Sequence, residues 1–351
     1  MTDTDYPRRQ SFALVFLAVV VGLGLLYITK SFMVPFAIAL FLSFLIVPVA
    51  NFLERRRVPS VISNLIIFVG VAVVIFLIGL LMYASFVSIR SGLPEYMSRA
   101  RTYTAGLIQA GERLFAVELT DDMEKFSFRD VFHFLSPSSF VKLLNQSIGS
   151  FVVFLSKMLL TMLFLLFIFA TRKTLMYKAG DFLGTRREAN QRQKIIMSIV
   201  SDIQSYLWLK TLISLGTGFV FGLAAFLMGL DFYLVWGFLG FLLNYIPSIG
   251  PIMASIPPIL LAFLQFDSMA WALTTSILMA AVQFTSGMIV EPKLMGDRLN
   301  LNIVVILLSL FLWGLLWGGP GMILAIPITA AINIVLNNIP RYQRVSALLS
   351  K

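Results

Sequence analysis

Asp202, Tyr206, Lys210, Ser214 and Gly218 recur at four-residue intervals, leading from a basic segment into an apolar one. Such spacing stacks side chains on successive turns of one helix face, with Asp202 two turns before Lys210. Ionisable groups inside a membrane face a cavity or a partner, so one reading is a polar stripe lining a route. The other is a cytoplasmic helix end from which Lys210 snorkels to the interface. The sequence leaves both open. Gly218 and Gly222 add a small-xxx-small pair, which reads as helix packing.

The second group is residues 244–258, Asn-Tyr-Ile-Pro-Ser-Ile-Gly-Pro-Ile-Met-Ala-Ser-Ile-Pro-Pro, set inside an apolar run from Phe232 to Phe266. A proline has no amide donor and collides with the preceding turn, so Pro247, Pro251, Pro257 and Pro258 do not all fit one regular helix. At membrane depth, freed backbone groups survive where protein or a water-filled cavity surrounds them. Discontinuous helices of this kind hold substrates in secondary transporters. Asn244 and Ser248 supply side-chain donors and acceptors, and Gly250 permits angles closed to other residues. The half-helix after Pro251 carries partial positive charge at its start. Such a tip suits a small polar or anionic solute, or a cation at its free carbonyls. A plain structural kink is the alternative.

The third group is Glu291-Pro-Lys-Leu-Met-Gly-Asp-Arg, residues 291–298, with Gln283 two turns before Glu291. Glu291, Lys293, Asp297 and Arg298 form a structural turn if they pair among themselves. Gating or ion coupling through Glu291, with Gln283 extending the polar path, is the sharper reading.

Composition bounds the chemistry. The chain has 351 residues, 59% hydrophobic and 13% charged, with mean hydropathy +0.90. Soluble domains carry roughly 25% charged residues, so this chain is built for lipid. It has no cysteine and one histidine, His133, which excludes disulfides, thiol nucleophiles and a His-built metal site. No Walker loop, GxSxG, His-Glu metal motif or paired-glycine nucleotide fingerprint occurs, so no enzyme and no cofactor are expected. The net charge of +10 reads as basic cytoplasmic loops near anionic lipid, not as a nucleic-acid surface.

The elements that must position these groups are membrane helices, each needing about 20 apolar residues. Candidate spans are 11–29, 32–50, 61–86, 150–171, 207–230, 269–290, 301–318 and 321–338, with 232–266 additional and broken. Arg8 and Arg9 precede a run too long for a signal peptide, which makes it a first span with its N-terminus inside. Arg55–Arg57, the basic 172–206 segment and the C-terminal Arg341, Arg344 and Lys351 are all expected to be cytoplasmic. The 88–148 segment balances seven basic against seven acidic residues and is expected outside, as a small helical extracytoplasmic domain. Three full spans follow residue 268, so 232–266 must begin and end on one face. A re-entrant hairpin with its tip at Pro247–Pro251 satisfies that, and so do two thin crossings. Trp313 and Trp317, beside Gly318-Gly319-Pro320-Gly321, read as an interfacial belt and turn.

The expected fold is thus an all-α polytopic membrane protein of about eight transmembrane helices plus a broken or re-entrant hairpin. Its expected divisions are 1–87 with three spans, the 88–148 domain, 149–206 with a span and a basic segment, a 207–340 transport core, and a 341–351 tail.

Two blocks carry a resemblance: Asn-Tyr-Ile-Pro-Ser-Ile-Gly-Pro (244–251) with Pro257, and Glu-Pro-Lys-Leu-Met-Gly (291–296). With Gln283 and the closing Leu299, Leu301, Trp313, Gly314, Trp317, Gly318, Gly321 and Pro327, the chain resembles the autoinducer-2 exporter family of bacterial membrane proteins. The match spans nearly the whole chain, strongly over about 196–338 and weakly over 88–148. It implies a multi-pass, homo-oligomeric transporter of the bacterial inner membrane. Family members have been linked to export of autoinducer-2, and others to sodium or lithium efflux against protons. One departure stands out: Ser286 and Met288 occupy positions where the family often carries an acidic residue and an asparagine. That departure weakens cation coupling through this span. A gradient-driven exporter of a small polar solute is the leading expectation. A monovalent cation/proton antiporter is the second, and a non-transporting scaffold docking through 88–148 is the third.

Overall fold

The computed structural model describes residues 5–115, 155–171, 189–247, 249–295 and 301–338, together with the single positions 153, 343, 346 and 349. The described residues are helical, with no β-strand among the elements they form. In chain order these are α1 (Asp5–Ile28), α2 (Lys30–Arg55), α3 (Ser60–Phe115), α4 (Leu155–Thr171), α5 (Ala189–Leu227), α6 (Tyr233–Leu243), α7 (Ile249–Phe266) and α8 (Met269–Phe284). A π-helical segment (Thr285–Val290) then leads into α9 (Glu291–Met295), α10 (Ile303–Trp317) and α11 (Gly319–Asn338).

Six helices are long and apolar enough to cross a bilayer: Lys30–Arg55, Ser60–Leu81, Lys194–Leu227, Ile249–Phe266, Met269–Met295 and Gly319–Asn337. Five of these coincide with expected spans, and Ile249–Phe266 is the second leg of the broken stretch. The remaining expected spans fall on shorter apolar helices, Leu17–Ile28, Leu155–Thr171 and Ile303–Trp317. Large apolar side chains on the outside, such as Phe219 at 70% and Leu212 at 57% exposure on α5, give the surface of a protein solvated by lipid. The chain is a multi-pass helical membrane protein.

Two of the expected divisions, at 87/88 and 206/207, fall inside continuous helices. α3 runs without interruption through residues 87 and 88, and its 56 residues span about 84 Å. Residues 116–148 of the expected extracytoplasmic domain lie outside the described residues. α5 likewise joins 189–206 to the span beyond it in one helix, while 172–188 lie outside the described residues.

The break in 232–266 is real and short. α6 has 11 residues, about 16 Å, and α7 has 18, about 27 Å. Between them the backbone turns at Asn244–Pro247. α6 lies against α5 through glycines. A Cβ on Gly218 would sit 2.6 Å from the Gly237 carbonyl oxygen, and one on Gly222 would sit 3.1 Å from the Gly237 Cα. The small-xxx-small pair therefore lets two backbones touch. Phe221, Ala225, Trp236, Ala254, Ala262 and Met279 fill the core shared by α5, α6, α7 and α8. A second core joins Ile203, Tyr206 and Ile213 of α5 to Met295, Leu301 and Ile326.

The closing turn forms where the sequence places it, with Gly318 at φ 68° between α10 and α11. Trp317 is buried rather than facing lipid, and its indole donates to the Leu26 carbonyl at 3.2 Å. That bond ties the turn to the end of α1.

At the end of the core away from the hairpin tip, α3 clamps both legs of the hairpin. Arg99 donates through Nη1 to the Leu264 and Gln265 carbonyls at 2.9 and 2.7 Å, capping the C-terminal end of α7. The Tyr96 hydroxyl donates to the Asp231 carboxylate just before α6. Gln265 accepts from the Asp231 amide and donates to the Gly229 carbonyl. Burial, then the Asp231 hydrogen bond and charge, hold the Tyr96 phenol above its ordinary value, so it remains a proton donor. Arg99→Ala should free the C-terminal end of α7. Hydrogen exchange of the 260–268 amides is expected to rise about tenfold, the effect of losing charge-assisted bonds worth about 1.5–3 kcal/mol. Unchanged exchange would show that the clamp bears no load.

Candidate functional site

Lys210 is the centre of the site. Its residue is 2% exposed on α5, and Nζ donates to Glu291 Oε1 at 2.6 Å. The side chains are 3% exposed for Lys210 and 24% for Glu291. Lys210 does not snorkel to the interface, as one reading of the sequence had it. An ammonium removed from water needs a counter-charge, and Glu291 of α9 supplies it. Glu291 therefore pairs across the fold. Lys293 is exposed on α9, and Asp297 and Arg298 lie outside the described residues.

One turn further along α5, Ser214 is fully buried and accepts from Asn244 Nδ2 at 3.0 Å. Asn244 is 5% exposed and caps the end of α6, where its position on the broken backbone turns its amide toward α5. The Tyr245 hydroxyl donates to Thr211 Oγ1 at 2.8 Å. On the next turn the hydroxyls of Thr217 and Ser286 share a hydrogen bond. Three consecutive turns of α5 thus hand polar partners to the hairpin tip, to α9 and to the π-helical segment.

Three residues keep buried polar atoms without a partner among the described residues, and two of them, Tyr206 and Gln283, belong to this part of the fold, the third being Asn64 of α3. The Tyr206 hydroxyl, one turn before Lys210, has no hydrogen-bond partner, and neither does the side-chain amide of Gln283. Orphaned polar atoms in so buried a place are where water or a passing solute finds partners.

At the tip, the Gly250 amide donates to the Ile246 carbonyl at 3.0 Å and the Ile249 amide to the Pro247 carbonyl at 2.6 Å. A Cβ on Gly250 would overlap the Leu243 carbonyl, so glycine is needed for the two legs to meet. Pro251 opens α7, and its carbonyl accepts from the Ser255 hydroxyl at 2.8 Å. Ser248 lies outside the described residues.

Asp202 stands apart. It is exposed, and its carboxylate accepts from Ser198 at 3.4 Å. A four-residue interval gains about 40° per step, so Asp202 and Gly218 face nearly opposite directions after four steps. The buried polar line is Tyr206, Lys210, Ser214 and Thr217, while Gly218 belongs to the helix crossing. Thr217 was missed for want of following the 3.6-residue period. Thr211 and Tyr245 were missed because nothing local marks a cross-helix pair.

Beside this line a cavity of about 430 Å³ opens between α5, α8 and the π-helical segment. Leu212, Gly216, Val220, Val282 and Val290 line it, with Thr217 and Ser286 as its polar floor. Among the described residues no group of acidic, histidine or cysteine side chains has the makings of a metal site.

A many-spanning helical chain with a broken hairpin set against a buried charged and polar line is built as a membrane transporter. The family model described as AI-2E family transporter matches residues 16–341, and the chain belongs to that family. A putative transport protein of Haemophilus influenzae is 28% identical over 95% of this chain and 94% of its own length. The AI-2 transport protein TqsA of Escherichia coli K12 is 29% identical over 95% of this chain and 96% of its own. The putative transport protein YhhT of Escherichia coli K12 reaches 37% identity over 43% of each chain.

Proposed function

We propose that this protein is a gradient-driven exporter of a small polar solute of the autoinducer-2 kind, working in the bacterial inner membrane. The observation that carries the reading is the buried polar line of α5, which meets the broken hairpin at Asn244 and the charge of Glu291 within three helical turns. A solute with hydroxyl and carbonyl groups finds partners there in the Tyr206 hydroxyl and the Gln283 amide. The resemblance to TqsA supports the choice of solute.

On this reading 232–266 is re-entrant, because an α6 of about 16 Å reaches roughly half of a 30 Å hydrocarbon core. Its tip, from Asn244 to Pro251, is the solute contact, with Ser248 beside Pro247 and Gly250. Gln283 and Glu291 continue the path, and Tyr206 and Lys210 face it; Asp202 lies at its cytoplasmic approach. Both termini are cytoplasmic, 88–148 is the extracytoplasmic domain, and the apolar outer faces meet lipid and further copies of the chain.

Efflux of autoinducer-2 from proteoliposomes under an imposed proton gradient tests this. Asn244→Ala removes a buried donor and leaves Ser214 unpaired, costing about 1–2 kcal/mol, so efflux should fall roughly tenfold. Native efflux from that variant would remove the tip from the path. No efflux from the native chain under any gradient would reject autoinducer-2 as its solute.

A further inference from the structure

We propose that Pro292 is a positioning residue, and that its missing amide holds the π-helical turn which aims Glu291 at Lys210. The widened turn ends against it. The Glu291 amide donates five residues back, to the Ser286 carbonyl, and Pro292 follows immediately. A proline ring collides with the carbonyl four residues before it, here that of Met288, and cannot bond to it. Widening the helix by one residue relieves the collision, and single-turn π bulges of this kind gather at functional sites.

The burial pattern carries the same step. Along α8 the buried positions are Ala272, Thr275, Met279 and Gln283, at intervals of three and four. Ser286 follows after three, and Glu291, the next residue to reach a polar partner in the core, comes after five. Eight residues of uninterrupted α-helix would turn Glu291 about 80° away from Gln283. With one residue absorbed in the bulge, the two lie within about 20° of one another and face the same polar line. Without the bulge, Val290 would occupy the direction that Glu291 now takes. The ion pair at 2.6 Å thus depends on a backbone feature for which Pro292 is the covalent cause. Gly287 lies exposed within the bulge, where an added methyl would meet nothing within 4 Å, so a change of length there disturbs no packing.

The experiment reads geometry directly, and it rests on the transport reading in its last arm alone. A membrane-permeant carbodiimide joins an ammonium to a carboxylate in contact, so the native chain should yield a Lys210–Glu291 amide, detected by peptide mass spectrometry. Pro292→Ala restores the amide donor and should reduce that product at least tenfold. Moving the carboxylate by one residue, V290E with E291Q, should give no product beside Pro292 but should give it in the Pro292→Ala background. That gain of signal cannot arise from misfolding. Deleting Gly287 from the Pro292→Ala chain should restore the native Lys210–Glu291 product, and with it autoinducer-2 efflux. A native chain without the amide, or a Pro292→Ala chain that keeps it at native yield, overturns the proposal. Restored crosslinking without efflux from any chain, the native one included, would leave the proposal standing and count against the solute.

Discussion

Lys210→Met is expected to abolish efflux while leaving a folded but weakened protein, and Glu291→Leu is expected to be worse. Burial decides the order. Breaking a buried ion pair by removing one partner costs about 3–5 kcal/mol, because the surviving charge is left without compensation. After Lys210→Met the survivor is Glu291, whose side chain is 24% exposed and can recover some hydration. After Glu291→Leu the survivor is Lys210, whose side chain is 3% exposed and cannot. The first change should therefore fall near the lower end of that range and the second near the upper end. Thermal unfolding in detergent measures both.

The double variant separates architecture from transport. Replacing a buried ion pair with apolar side chains of similar volume is often neutral or stabilising. Lys210→Met with Glu291→Leu should therefore regain most of the lost stability. If the pair serves transport, efflux stays absent in this stable protein. Efflux returning together with stability would make the pair a structural clasp, and the path would have to be sought along Asn244, Tyr206 and Gln283 instead.

The sequence displayed the hairpin and concealed the clasp, and the reason is one of range. Four prolines between Pro247 and Pro258 forbid a regular helix whatever surrounds them, so the break could be read from covalent structure alone. The glycine pair at 218 and 222 was legible for a similar reason, since missing side chains invite backbone contact wherever they occur. Lys210 and Glu291 are 81 residues apart, and nothing near either names the other. Lys293, Asp297 and Arg298 lie closer in sequence to Glu291, and a local turn was the natural expectation. The π-helical segment was obscured for a subtler reason. Its cause, Pro292, is plain in the sequence, but a proline there equally ends or kinks a helix. The clamp of Tyr96 and Arg99 was hidden because α3 carries it well beyond its own span, in a segment whose balanced charge reads as solvent-facing.

Gly250→Ala is expected to be the most damaging single-methyl change in the hairpin. The added carbon would overlap the Leu243 carbonyl oxygen, which belongs to the backbone and has no rotamer through which to retreat. Relief requires α7 to move away from α6. That movement loosens the Gly250 amide from the Ile246 carbonyl and carries Asn244 off Ser214. Overpacking of this kind costs about 1–3 kcal/mol, to which the disturbed hydrogen bonds add about 1 kcal/mol each. Gly79→Ala is the matched comparison, because a methyl there meets nothing within 4 Å and the site is helical. It should be neutral or slightly stabilising by helix propensity, by up to about 1 kcal/mol. Efflux should then fall at least tenfold in Gly250→Ala and stay native in Gly79→Ala. If both variants transport equally, the closeness of the two legs is incidental to function. If Gly250→Ala unfolds at the native temperature and yet fails to transport, the hairpin has moved without weakening the fold, as a gating element would.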